Sequence, residues 1–387
     1  MVIVVTGCGG SSNGSREAAG QGTEIQPYVL AVPKGFPAPT IPSTNPMTLA
    51  KVELGRHLFY DRQLSINETK SCADCHLQSR AFTEDAKTSI GITELEIHAR
   101  NAMSLTNVIY NAGFNWANPN TLSLEDQAFG VLFNETPVEL GWSDNESVIL
   151  DRFRHSGVYQ TLFSNAFPDI EDPFTVEQVT QAIATFERTL ISGNSDFDKH
   201  SQGDDVLSDS AKRGSDLFFS ERLECFHCHG GFNFSQSVDH EGLAFQQLEF
   251  HNNGLYNLNQ QGGYPLDNTG LWEFTAVDSD MGRFRAPSLR NIALTSPYMH
   301  DGSIATLREV VVDHYARGGR LITEGEHAGD GSKNPFKSSL LAGFVLTEQE
   351  TEDLLAFFES LTDWTLVCNP DLSDPFGNIV MHEACAQ

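Results

Sequence analysis

The chain has 387 residues, of which 40% are hydrophobic and 20% charged, with 24 basic against 52 acidic side chains and a net charge of −28. The length suggests two domains of ordinary size, the composition is that of a globular protein, and no stretch approaches the roughly eighteen apolar residues that crossing a bilayer takes. Such acidity disfavours nucleic acid and anionic lipid and favours basic partners.

The start, MVIVVTGC, runs from apolar to small residues to Cys8, then into a Gly/Ser/Asn-rich stretch as far as Gly22. That pattern resembles the end of a bacterial lipoprotein signal, where a small-small-Cys box precedes lipidation of the cysteine. Residues 1–25 are therefore set apart as a truncated leader and tail. The chain is expected in the periplasm, touching a membrane only through a lipid anchor at Cys8. Prolines 27, 33, 37, 39, 42 and 46 make an extended lead-in. Thr48 then opens a helix, TLAKVELGRHLFYD, and a Cys-x-x-Cys-His motif follows at Cys72, Cys75 and His76.

Three capping boxes announce later helices. Thr175 with Gln178 opens one whose apolar stripe holds Val179, Ile183 and Phe186. Thr306 with Glu309 opens TLREVVVDHYARGG, ending at Gly318 and Gly319. Thr347 with Glu350 opens a third, with Leu354, Phe358 and Leu361 on one stripe. Strand-like alternation is scarce, so the fold is expected to be mainly α. The polar stretch 192–205 divides the chain into an N-terminal domain, 26–204, and a C-terminal domain, 205–365, with a tail over 366–387. Each domain carries the same order of events: a helix with a glycine and aromatic residues (LGRHLFYD; AKRGSDLFFS), then a Cys-x-x-Cys-His motif, the second at Cys225, Cys228 and His229. This is a weak internal repeat. Of seven cysteines, Cys368 and Cys385 remain as a candidate disulfide.

The two motifs have a mechanism. Their thiols add to haem vinyl groups as thioethers, and the adjacent histidine is held where its imidazole meets the iron. Random placement of these residues gives about 0.004 such motifs per chain. A zinc site would want a second close cysteine pair for each ion. Two covalent haems c are therefore expected. What faces each iron on the other side decides between electron transfer and peroxide chemistry.

The stretch FRAPSLRNIALTSPYMHDG (284–302) resembles the signature of the bacterial di-haem cytochrome c peroxidases and their relative MauG, as do RNAMSLTNVIYN (100–111) and QAFGVLFNETPVELG (127–141). The resemblance covers roughly residues 43–365. ERLECFHCHGGFNFS, FHNNGLYN, NTGLWEFT and DMGRFRAPSLRN look closest to the MbnH branch, whose members use peroxide to oxidise a tryptophan on a partner protein, MbnP. The resemblance implies two cytochrome c-type domains with the haems near their interface. It makes His76 the axial ligand of a peroxide-binding first haem, with Trp116, Gln127 and Glu139 in its distal pocket. A carboxylate there takes a proton from one peroxide oxygen and returns it to the leaving one. His229 becomes the axial ligand of the second haem. Its sixth ligand is expected on the helix after His-Asp-Gly, where spacing from His300 favours His314 and alignment on the Gly-Gly favours Tyr315, the run Val310–Val312 carrying one extra residue. His300 is expected beside the second haem without binding its iron. Asn101 and the carbonyls of Thr295 and Pro297 match a calcium site between the haems, oxygen ligands that suit that ion.

The chain departs from the family at several positions. The distal histidine of conventional peroxidases is replaced by Thr93, which leaves the first iron open at rest unless nearby His98 substitutes. Val131 stands where a proline is usual, and Leu223 where MauG has a tryptophan, which leaves Trp272 as one alternative bridge. Three functions follow: a hydrogen-peroxide-dependent oxidase of a partner protein's tryptophan, working through an oxidised state shared by both irons; a conventional peroxidase fed by a small redox protein; and a purely electron-transferring di-haem cytochrome.

Overall fold

The computed structural model describes residues 25–93, 97–378 and 382–386. Cys8 lies outside them, so the expected anchor has no structural account. Twelve α-helices are found among the described residues: α1 (Leu49–Tyr60), α2 (Leu124–Phe133), α3 (Glu146–His155), α4 (Gly157–Ala166), α5 (Val176–Glu187), α6 (Asp196–Ser201), α7 (Asp209–Phe218), α8 (Phe226–His229), α9 (Trp272–Thr275), α10 (Leu307–Glu309), α11 (Glu348–Ser360) and α12 (Trp364–Val367). The strands are two short antiparallel pairs, β1 (Phe250–Asn252) with β2 (Arg283–Arg285) and β3 (Leu321–Ile322) with β4 (Gly329–Asp330). The expectation of a mainly helical chain holds. No helix among the described residues is long and apolar enough to cross a membrane.

The weak repeat in the sequence is a strong one in space. In the first half α1 crosses α5, and in the second α7 crosses α11. All four helices begin with a Ser or Thr hydroxyl accepting a backbone N–H, from Thr48, Thr175, Ser208 and Thr347, which satisfies a donor the helix itself leaves free. Each crossing point holds a glycine. A Cβ on Gly55 would overlap the Ala182 carbonyl oxygen and lie 2.9 Å from Phe186 Cβ; one on Gly214 would overlap the Asp353 carbonyl and lie 2.9 Å from Phe357 Cβ. Only hydrogen fits where two backbones come this close.

The loops repeat as well. Asn107 and Asn291 both adopt the left-handed conformation, with φ of 56° and 60°, which asparagine tolerates better than most residues. Each N–H donates to a carbonyl just past the partner helix, Leu190 at 2.8 Å and Leu361 at 3.1 Å. Each side-chain oxygen accepts one backbone N–H further on, from Ser192 and from Asp363, both at 2.7 Å.

The first half adds a layer made by α2, α3 and α4, closing a core around Leu58, Leu132, Trp142, Phe153, Phe163 and Ile183. The second half centres on Phe218, Phe234, Leu354 and Phe357. The halves are tied by buried polar contacts. Asp363 accepts from the Ser192 hydroxyl and from the N–H groups of Gly193 and Asn194 at 2.9–3.2 Å. Arg290 pairs with Asp198, both buried. The proline-rich lead-in straps the junction, with Phe36 packed on Tyr110 and Phe232 beneath the Arg290 guanidinium.

The polar stretch 192–205, the expected boundary, is folded: Ser195 caps α6 and Asp198 is buried in its ion pair. The segment from 366 onward is more than a tail: Leu366 and Leu372 pack with Phe59, Phe82 and Phe186 of the first half, and the Tyr60 hydroxyl donates to the Leu372 carbonyl at 2.8 Å. A disulfide between Cys368 and Cys385 closes it, with their Cα atoms 5.2 Å apart. The helix expected from Thr306 runs as α for one turn and then as a π-helix over Val310–Tyr315.

Candidate active site

Among the described residues two cavities stand out, one in each half, with about 650 and 1330 Å³ of free space counted out to their mouths. The four motif cysteines form no disulfide, and each pair lies on the wall of its own cavity beside its histidine. The imidazoles are oriented alike. His76 Nδ1 faces the Phe82 carbonyl at 2.9 Å, and His229 Nδ1 faces the carbonyls of Phe234 and Pro287 at 3.1 Å. A carbonyl only accepts, so Nδ1 carries the proton and Nε2 keeps its lone pair for a metal. Burial lowers the pKa of both, that of His229 to about 4, so the imidazoles stay neutral.

The first cavity gathers Gln127 from α2, Glu139 from the loop after it, His98, and Glu187 from the end of α5. Burial pushes the Glu139 carboxyl up to about 7, against the opposing hydrogen bond from the Asn134 amide at 2.7 Å. Its proton therefore comes and goes near neutral pH. Glu187 went unseen in the sequence. Burial lifts it to about 8 despite neighbouring Arg188, and its Oε2 has no partner. Nothing in TFERTL separates it from an ordinary helix residue. Thr93 is exposed at the surface, whereas His98, half-buried, lines the cavity.

Trp116 is not where it was expected. It lines the second cavity, and its indole N–H donates to the Asn101 carbonyl at 2.8 Å. Trp116 and Ala117 pack with Phe284, Tyr298 and Leu255 of the second half, whereas Phe114 packs on Leu124 of α2 and Ala184 of α5. His300 also lines the second cavity, stacked on Phe284 with ring centroids 3.6 Å apart.

The π-turn decides which residue of the pair 314–315 meets that cavity. A π-helix accommodates one residue more than the α-helix it interrupts, matching the extra residue in Val310–Val312. Tyr315 lines the cavity with His229, and Asn253 is within hydrogen-bonding reach of its hydroxyl. His314 points elsewhere, fully buried, with neither ring nitrogen partnered.

The residues fit haem on grounds of their own. Arg285 is buried on the second cavity wall with no carboxylate beside it, held by the Asn115 carbonyl and Met103 sulfur, and its Nη1 is unpartnered. Burial drags its pKa down to about 10. An unpaired interior guanidinium costs several kcal/mol by the usual reckoning, about 3–5 when a partner is removed, and a haem propionate is the anion that would answer it. The expected calcium residues are less telling. The Asn101 amide donates to the carbonyls of Ala86 and Lys87 at 3.0 and 3.2 Å, and its N–H donates to the His300 carbonyl at 2.9 Å. Among the described residues, the one cluster with metal-ligand spacing is Glu221, Glu224 and His227, of which Glu224 also lines the second cavity.

Two covalent attachment motifs, each with a neutral, oriented histidine on a cavity wall, define a di-haem c-type cytochrome. The model of the di-haem cytochrome c peroxidase family matches residues 49–206. The chain is 32% identical to the methylamine utilization protein MauG of Methylorubrum extorquens over 92% of this chain and 90% of that one. It is 34% identical to the cytochrome c peroxidase Ccp of Escherichia coli over 70% of this chain and 54% of that one. Among solved structures, a MauG-like protein associated with microbial copper homeostasis superimposes with a TM-score of 0.88 at 45% identity, covering 90% of this chain and 99% of that one. The chain belongs to the di-haem cytochrome c peroxidase/MauG family. It carries two haems c and is a haem-dependent oxidoreductase that uses peroxide.

Proposed function

We propose that the protein is a MauG-like oxidase that uses hydrogen peroxide to oxidise a tryptophan on a docked partner protein of the MbnP kind. The observation that carries this reading is the first cavity: a carboxyl poised near neutrality, Glu139, shares it with Gln127 and with His76. When bound there, haem supplies the electrons that cleave the O–O bond. The Glu139 carboxylate takes the proton of the peroxide oxygen nearer His76 and delivers it to the outer oxygen, which leaves as water. Gln127 orients the peroxide by hydrogen bonding. In the second half, His229 and Tyr315 would hold the other haem, and Arg285 would bind a propionate. Asn101 with the carbonyls of Thr295 and Pro297 would hold calcium at the junction. The acidic surface suits a basic docking face, and the periplasm suits covalent haem.

The reading is tested by adding one equivalent of hydrogen peroxide to the fully ferric protein and following its visible and near-infrared spectrum. Both ferric signals bleaching together, with a long-lived near-infrared band, is the expected result. A protein that responds only after one electron is added is instead a conventional peroxidase drawing on a small redox protein. The position of His98 on the cavity wall favours that second reading, with His98 as the blocking ligand.

A further inference from the structure

A file of rings leads from the second cavity to the surface. His300, on the cavity wall, lies 6.4 Å from Tyr264, centroid to centroid. Tyr264 lies 5.4 Å from Tyr256, and Tyr256 lies 5.4 Å from His327. Tyr264 and Tyr256 are buried at 3% and 4% exposure, whereas the His327 side chain is 41% exposed. The two tyrosines differ in what meets their hydroxyls. Tyr264 donates to the Asn252 side-chain oxygen, which is not a base. Tyr256 donates to Asp301, whose pKa burial would raise but which His300, Tyr256 itself and Ser303 together hold below the ordinary carboxylate range. Asp301 is thus an anion in contact with a phenol.

A phenol loses an electron readily only when its proton has somewhere to go. Electron transfer also falls steeply with distance, so a ring between two sites carries charge that a single long jump would not. We propose that Tyr256 is a redox-active relay between the second-haem cavity and the surface at His327, with Asp301 as its proton acceptor and Tyr264 as the bridging ring.

The balance is simple. The oxidised haem site gains one electron from Tyr256, whose O–H bond breaks and whose proton passes to the Asp301 carboxylate. The tyrosyl radical then takes one electron from a reductant at the surface, and the proton returns from Asp301. One electron moves inward with no net proton transfer. Two such transits match the two electrons that one peroxide accepts. The inference rests on the peroxide-driven reading above and adds the route by which the equivalents leave.

The test uses the di-haem protein, with and without ring-deuterated tyrosine, frozen after one equivalent of peroxide and examined by electron paramagnetic resonance. In parallel, the oxidised protein is discharged by a basic ferrous cytochrome c. Expected are bleached haem bands and a radical signal that narrows on ring deuteration. Tyr256→Phe should lose that signal and discharge at least tenfold more slowly, and Asp301→Asn should slow discharge too. Bleached haems with no deuterium-sensitive radical, and discharge within twofold of wild type in Tyr256→Phe, would overturn the relay and leave the oxidase reading standing. Haems that ignore peroxide would remove both, since the relay would have no oxidant. The isotope experiment needs no substitution, so a misfolded variant does not spare the proposal.

Discussion

At the scale of single residues, burial sets the chemistry. Glu139 is lifted to about 7 because its cavity removes water from the charged form. As a base it must be ionised, so the rate of peroxide reaction should climb with pH through about 7 and then level off. Glu139→Gln should lower that rate by about 10²–10⁴-fold and remove the inflection, as stopped-flow measurements across pH would show. Neighbouring side chains on the π-turn divide their roles in the same way. Tyr315→Phe should convert the second haem from six- to five-coordinate, read by resonance Raman, whereas His314→Gln should leave that spectrum as in wild type. The reverse pattern would make His314 the ligand.

At the scale of elements, the fold depends on two helix crossings that tolerate no side chain at their centre. Gly55→Ala and Gly214→Ala should each destabilise the protein by about 2–3 kcal/mol, because the added methyl meets a backbone carbonyl that cannot turn aside. Thermal unfolding of the holoprotein measures this. Equal losses are expected, since the two crossings share their geometry down to the phenylalanine beside each glycine. The π-turn is the element where one extra residue becomes function: the added residue is taken up before Tyr315, and the Gly318–Gly319 corner stays in register with the Leu341–Gly343 backbone it touches.

Across the whole molecule, Asp363 ties the halves through three donors of the first half while buried at 1% exposure. Asp363→Ala leaves two backbone N–H groups unanswered and should cost about 2–3 kcal/mol, seen as a lower midpoint of thermal unfolding. The net charge of −28 acts over longer range. Reduction of the peroxide-treated protein by a basic redox protein should slow steeply as salt is raised, by about tenfold or more between low and physiological ionic strength. A rate indifferent to salt would argue against docking by charge.

Much of this was legible in the chain itself. The Cys-x-x-Cys-His spacing determined the haem attachments, because thioether chemistry demands that local pattern, and the Ser and Thr caps marked the helices because capping is local as well. The side chains of Gln127 and Glu139 came through motifs carried within one loop and helix. What needed the tertiary structure was everything that depends on distant segments meeting. Trp116 moved to the second cavity because its loop packs on Phe284 and Leu255, more than a hundred residues away. Glu187 and Arg285 became notable only once burial stripped them of water and partners. Which of His314 and Tyr315 faces the second cavity depends on a single residue of helical register, which sequence spacing leaves open and the π-turn sets in favour of Tyr315. The repeat, faint in the residues, is plain in space because two glycines and two left-handed asparagines are backbone requirements: they constrain where chains cross while leaving the surrounding side chains free to differ.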